Sequence, residues 1–273
     1  MSANNNTLLY YDISPNVKAF STTRISPFDL NEGDIKAMGE YAAFNVTHYC
    51  GDEPQRVERN KQWLCNELGI NEAQLWLPRQ THTDNVLCIN DDFLKLPKDE
   101  QTTKLQNIDA LITNIPNQCI GVSTADCVPL LIYDKSHQAV AAIHAGWRGT
   151  IKRIAQKSFV KMKETYQTKA SDCMVVIGPS ISVDAFEVGE EVVEAFTNEH
   201  FSADIVCRSV HNPNAKPHID LWAANVCTLE ECGFDLSQIR IAGICTYQHC
   251  DTFFSARRLG INSGRIFTGI CLK

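Results

Sequence analysis

Two apolar runs, Val128–Tyr133 and Ala139–Ile143, constrain this chain more than any other feature. Each has the length of a buried strand and is rich in Val, Ile and Leu or their small neighbour Ala. Asp134-Lys-Ser-His137 lies between them as a polar turn, so the pair reads as a β-hairpin. A hairpin brings the start of its first strand beside the end of its second. Cys127 precedes the first run and His144 follows the second. Two side chains able to bind a metal are therefore expected at one end of a sheet.

The flanking segments supply further elements. Leu8–Ile13 and Val17–Thr22 read as opening strands, and Glu32–Phe44 as a weakly patterned helix. Pro54–Leu68 reads as a helix because Val57, Trp63, Leu64 and Leu68 recur near helical spacing and Gly69 closes it. Leu75–Leu77 begins a strand, Pro78 interrupts it and Asn85–Ile89 resumes it, with His82 in the polar break. Ile108–Thr113 and Cys119–Val122 are short apolar runs ahead of the hairpin. Gly149–Tyr166 is expected as one helix, with Ile151, Ile154, Ala155, Phe159 and Met162 along one stripe. Met174–Ile177, Ile239–Cys245 and Arg265–Leu272 read as strands, and Val188–Thr197 and Asp220–Cys232 as helices.

No repeat, low-complexity tract or long linker divides the chain, and its strands and helices alternate without a strict βαβ rhythm. The expectation is one mixed α+β domain of layered sheets and helices spanning residues 1–273. With 44% apolar residues it can bury a sizeable core. A net charge of −7 and the lack of a long basic block argue against a nucleic-acid partner. No apolar run reaches the roughly 18 residues of a spanning helix, so no membrane association is expected. Met1–Asp12 lacks the basic-then-apolar pattern of a secretory signal. The twelve cysteines form no Cys-x-x-Cys pair, so most are expected as reduced, packed thiols, and the protein is expected in the cytoplasm.

Three residues suit a catalytic zinc, which takes three protein ligands and keeps one position open: His82, Cys127 and His144. The same residues support a second reading, with Cys127 as nucleophile, His144 as its base and Asp126 orienting the pair, as in a Cys-His hydrolase or amidase. Spacing does not separate the two, because a ligand thiolate and a nucleophilic thiolate both need a lowered pKa. A binding or scaffold protein that retains the fold is a third class. Ala145-Gly-Trp-Arg-Gly149 opens a basic helix, where Arg148 could hold phosphate or carboxylate. Arg257 and Arg258, after two phenylalanines, form a second candidate anion site. Asp109, Asp126 and Asp220 read as isolated, structural carboxylates.

Taken together, several segments resemble the YfiH or laccase-domain family, also called polyphenol oxidase or purine nucleoside phosphorylase. They are Thr22-Thr-Arg24, Asn45 with His48 and Gly51-Asp52, Gln80-x-His82, Asp109-Ala-Leu-Ile-Thr113 and Thr124-Ala-Asp-Cys127-x-Pro129. Ile143-His-Ala-Gly-Trp-Arg-Gly149, Ile177-Gly-Pro179, Asp220-Leu221, Cys245-Thr246, Phe254-Ser-x-Arg-Arg258 and Gly264-Arg265 continue the match in family order. The resemblance implies a single-domain α/β sandwich like that of cytotoxic necrotizing factor catalytic domains. It implies a metal site at His82, Cys127 and His144, with zinc as the metal and copper able to enter the same site. It also implies phosphorolysis of adenosine, inosine, guanosine and methylthioadenosine with inorganic phosphate, and deamination of adenosine; the oligomeric state stays open. Two stretches depart from the family pattern: Ile25-Ser-Pro27 replaces Gly-Gly, and Leu259-Gly-Ile-Asn-Ser263 is longer than the family spacing.

The family's older name, a copper-dependent polyphenol oxidase, meets a chemical obstacle. A multicopper centre needs a crowd of imidazoles, commonly as His-x-His pairs. The chain has 8 His and no such pair. One copper could occupy a His-Cys-His site, but a full oxidase cluster is not expected.

Overall fold

The computed structural model describes residues 6–207 and 215–273. The first five residues of the amino-terminal stretch read above lie outside them. Strands β1 (Leu8–Tyr11) and β2 (Val17–Thr22) open the chain, followed by helices α1 (Glu32–Met38) and α2 (Pro54–Leu68). Strands β3 (Leu75–Trp76) and β4 (Val86–Cys88) precede two short helices, α3 (Asp91–Leu94) and α4 (Lys98–Lys104). Four strands then run in succession: β5 (Ala110–Thr113), β6 (Cys119–Thr124), β7 (Val128–Asp134) and β8 (Ala139–Ala145). Helices α5 (Trp147–Ile151) and α6 (Ile154–Tyr166) lead to β9 (Cys173–Ile177) and α7 (Glu190–Asn198). The chain closes with β10 (Val206–Cys207), β11 (His218–Ile219), α8 (Leu221–Glu231), β12 (Ile239–Ile241), α9 (Ala256–Leu259) and β13 (Ile266–Leu272).

The hairpin read from the sequence is present as β7 and β8, antiparallel, with Pro129 opposite His144. Its turn is held by Asp134, whose Oδ1 accepts from the backbone N–H groups of Ser136 and His137. The hairpin sits at the centre of a mixed six-stranded sheet ordered β12-β9-β7-β8-β5-β4. A second sheet of five strands is ordered β1-β2-β13-β6-β3.

Alternation along the strands explains the layering. Leu130 and Ile132 of β7 and Ala141 and Ile143 of β8 face α6, α7 and α8 in one core. Leu131, Tyr133, Val140 and Ala142 face the other way, against Val17, Ile120, Val122 and Ile270 of the five-stranded sheet. The outer face of that second sheet packs Phe20 and Phe267 on Leu64 and Leu68 of α2. The order is helix, sheet, sheet, helix, a mixed α+β sandwich. The central strands read as continuous apolar runs because both of their faces are buried. Each buried Leu or Ile contributes about 1.5–3 kcal/mol. Among the described residues, no helix is long and apolar enough to cross a membrane.

The structure corrects four expectations. The helix expected over Gly149–Tyr166 is two helices, α5 and α6, broken where Arg153 adopts a left-handed conformation, φ 60°. Arg153 is held there by Glu231, 2.8 Å away, and by stacking over Phe201. The strand expected to resume after Pro78 does not: β3 pairs with β6 in one sheet and β4 with β5 in the other. The residues between them cross from sheet to sheet and carry His82. The first helix ends at Met38 and a 3-10 turn over Gly39–Tyr41, short of Phe44, because Gly39 turns to φ 54°. The strand expected over Ile239–Cys245 ends at Ile241, ahead of Gly243 at φ 67°.

Candidate metal centre

The hairpin's open end and the sheet-to-sheet crossover meet at one edge of the sandwich. His144 lies at the end of β8 on the side between the sheets, in step with Val140 and Ala142, and is 4% exposed. Its Nδ1 is 2.7 Å from Asp109 Oδ1. An ionised carboxylate only accepts, so Nδ1 donates and Nε2 is the nitrogen turned to Cys127. Asp109, fully buried, also fixes the crossover. Its carboxylate accepts from the backbone N–H groups of Thr81, His82 and Thr83 at 3.2, 3.0 and 2.9 Å, and from Thr83 Oγ1 at 2.7 Å. These bonds hold His82 at φ 62°, a left-handed backbone that a non-glycine residue keeps only when its surroundings enforce it. On the other side of the loop, the Gln80 amide pairs with the backbone of Ser123, accepting from its N–H at 2.7 Å and donating to its carbonyl at 2.8 Å.

Cys127 is aimed by the residue before it. Asp126 is buried at φ 90°. Its carboxylate accepts from Thr246 Oγ1 and from the Arg257 backbone N–H, each at 2.7 Å. Asp126 thus faces away from the Cys127–His144 pair and ties the cysteine's turn to the carboxy-terminal segments. Asp220, the third carboxylate, caps α8 by accepting from the Ala223 N–H.

Together these contacts gather His82, Cys127 and His144, with their ligand atoms all within 4.8 Å of one another. Cys127 Sγ lies 3.7 Å from His82 Nε2. The sulfur and nitrogen ligands of a tetrahedral zinc are about 3.5 Å apart, so the donor set and its spacing fit one such ion. Asp109 behind His144 is the carboxylate partner that metal-binding histidines commonly carry. The closeness depends on Gly146: a Cβ there would stand 2.9 Å from Cys127 Sγ and 3.0 Å from His82 Cδ2. Gly146→Ala is therefore expected to fold and to lower zinc affinity at least about tenfold, measured by chelator competition.

Charge is redistributed within the cluster. Burial would raise the Cys127 thiol, but the His144 charge and hydrogen bonds from both histidines outweigh it and bring it down to about 6. Burial would lower His144, but the Cys127 thiolate and Asp109 lift it to about 9. The metal-free protein thus holds a thiolate beside an imidazolium. A thiolate is present above its pKa, so iodoacetamide should label Cys127 of zinc-stripped protein at a rate rising through about pH 6, well below an unperturbed thiol near 8.5. Mass spectrometry of the Cys127 peptide measures this.

A cleft of ≈ 250 Å³ opens over the three residues, lined also by Tyr49, Gln80, Thr124, Ile261 and Arg265. Burial pushes the Tyr49 hydroxyl up to about 12, and it donates to Gln80 Oε1 at 3.2 Å. Arg148 and Arg258 do not line this cleft. Arg148 is exposed and stacks over Trp147, and Arg258 is exposed beside Tyr247. The cation at the cleft is Arg265. It was legible only as part of Gly264-Arg265. Asp109 was legible only as an isolated carboxylate, since its partners are far from it in sequence.

A family model described as "Multi-copper polyphenol oxidoreductase laccase" matches residues 30–273. A Bacteroides thetaiotaomicron protein named purine nucleoside phosphorylase is 45% identical over 94% of this chain and 92% of its own length. A protein from an unknown prokaryote named adenosine deaminase RL5 is 44% identical, covering 94% of each. Among solved structures, the Bacillus licheniformis protein YfiH superposes with a TM-score of 0.84 at 24% identity, covering 99% and 98% of the two chains. The Neisseria meningitidis protein NMB0706 gives 0.80 at 29% identity, covering 98% and 99%.

Proposed function

The chain belongs to the multi-copper polyphenol oxidoreductase laccase family, and within it we propose a zinc-dependent purine nucleoside enzyme. Two reactions are assigned. One is phosphorolysis of adenosine, inosine, guanosine and methylthioadenosine; the other is deamination of adenosine. The observation that carries the reading is the His82–Cys127–His144 cluster at the floor of a cleft, in a chain whose relatives bear those two names.

His82 Nε2, Cys127 Sγ and His144 Nε2 are the proposed ligands, and the cleft side is left open. A zinc ion held by three protein ligands polarises oxygen groups and lowers the pKa of bound water to about 7. The protein's part is positional. Asp109 keeps the proton on His144 Nδ1, so the other ring nitrogen is a lone-pair donor. Gln80 and Asp109 fix the His82 loop before substrate arrives. Arg265 brings a positive charge to the cleft, where it can face phosphate. In deamination, water adds at C6 and ammonia leaves, giving inosine. In phosphorolysis, the N9–C1′ bond breaks and a phosphate oxygen bonds to C1′, giving the free base and ribose 1-phosphate, or 5-methylthioribose 1-phosphate from methylthioadenosine.

A second reading is favoured by one feature, the lowered Cys127 thiol beside His144. That pair suits a Cys-His hydrolase or amidase. Incubation with adenosine, with and without phosphate, tests the assignment. Inosine without phosphate, and free base with ribose 1-phosphate when phosphate is added, are expected. No conversion of any purine nucleoside by zinc-loaded protein would refute it. Copper can replace zinc in the same donor set. The copper-loaded protein is expected to bind one ion per chain and to lack the intense blue absorption of a multicopper oxidase. Several coppers per chain would contradict the single-site reading.

A further inference from the structure

Of the large apolar side chains exposed among the described residues, Ile261 is the most exposed, at 72%. It lines the same cleft as His82, Cys127 and His144. Its backbone, by contrast, is pinned. Arg265 Nη2 donates to the Ile261 carbonyl at 2.8 Å, and Nη1 donates to the carbonyls of Ser263 and Gly264. Ser263 Oγ donates to the Gly260 carbonyl at 2.7 Å, closing the loop on itself. The Arg265 backbone N–H is anchored on Asn45 Oδ1. Gly260, at φ 92°, supplies the left-handed turn that starts the loop.

A single exposed isoleucine needs no explanation by itself. Here the loop fixes its main chain and places at the cleft its one large aliphatic side chain, the other aliphatic residues of the lining being the small Ala125 and Ala256. We propose that Ile261 is a specificity residue that packs on the purine ring of a nucleoside seated in the cleft. The proposal rests on the nucleoside reading above. The purine is that substrate's one broad, weakly hydrated face, whereas ribose and phosphate are polar throughout. Arg265 then has two parts: its guanidinium braces the Ile261 loop, and its charge lies at the cleft.

The test is calorimetric binding of inosine with phosphate omitted, a condition in which neither assigned reaction can consume it. Ribose 1-phosphate, which lacks the ring, is the second ligand. Ile261→Ala, which removes three carbons, is expected to weaken inosine about tenfold and to leave ribose 1-phosphate within about twofold. Ile261→Leu should keep inosine within about threefold of the unmodified protein. Zinc content should be unchanged in both variants. Undiminished inosine binding by Ile261→Ala would overturn the proposal, as would equal weakening of both ligands, which would mean a collapsed loop. If the unmodified protein binds ribose 1-phosphate or zinc but no nucleoside, the functional reading fails first, and this one with it.

Discussion

Asp109→Ala is expected to cost the protein about 3–5 kcal/mol of folding stability and most of its zinc affinity. Five donors converge on this carboxylate: His144 Nδ1–H, three backbone N–H groups and the Thr83 hydroxyl. Alanine takes the acceptor from the first four, while the Thr83 hydroxyl can turn to the Asn107 carbonyl, and each unsatisfied buried group costs about 1–3 kcal/mol. Relaxation and entering water recover part of the sum. Asp109→Asn is the sharper variant. One oxygen can still accept from His144, but the amide NH2 must then face backbone donors. Zinc affinity should fall about 10–100-fold, as when a ligand histidine loses its hydrogen-bond partner. Urea unfolding and chelator competition measure the two effects.

The same carboxylate sets a pH dependence. Burial would raise it, but the His144 bond and charge and the Thr83 donors hold it at about 2, below the unfolded value of about 3.9. A depressed carboxyl stabilises the fold above the unfolded pKa, and that contribution is lost as pH falls through the folded one. The stability gap between the unmodified protein and the Asp109→Asn variant should therefore close between about pH 4 and pH 2.

His82→Ala, Cys127→Ala and His144→Ala are each expected to reduce bound zinc from near one equivalent to a small fraction. Among the described residues these three form the one cluster of its kind, so no fourth protein donor replaces a lost one. Disturbing a ligand's hydrogen-bond partner alone costs about 10–100-fold, and removing the ligand should cost more than about 100-fold. The three variants should differ in fold stability. His144 is buried and its loss takes from Asp109 the one charged donor of its five, whereas His82 is exposed and its loss leaves the loop's backbone bonds intact. Metal analysis beside thermal unfolding separates lost ligation from lost fold. Full zinc in all three would dismiss this site.

How much of this was readable in the sequence follows from the range of each interaction. The hairpin is local, so its strands, its turn at Asp134 and the meeting of Cys127 with His144 were all legible. Helix α2 was legible to the residue because its stripe and Gly69 lie within one segment. His82 was legible as a candidate, but its approach depends on a chain that leaves one sheet after β3 and joins the other at β4. No periodicity encodes that crossover. Asp109 gathers partners 26 to 35 positions away, beyond any local pattern. The break at Arg153 was invisible for a similar reason: the stripe of Ile151, Ile154 and Ala155 continues through it, and Glu231 and Phe201 hold the left-handed turn from distant segments. Arg148 and Arg258 were singled out for residue type beside a turn, and type does not show which way a side chain leaves the chain.

The most direct test of the central claim measures nucleoside turnover and Cys127 alkylation on one preparation, with and without chelator. If His82, Cys127 and His144 hold the working metal, chelation abolishes adenosine-to-inosine conversion and inosine phosphorolysis, and added zinc restores both. Cys127 resists iodoacetamide while zinc is bound and reacts once it is stripped, because a coordinated thiolate is not free to attack. Full activity in chelator, together with rapid Cys127 labelling in its absence, would contradict the account and favour thiol catalysis by Cys127.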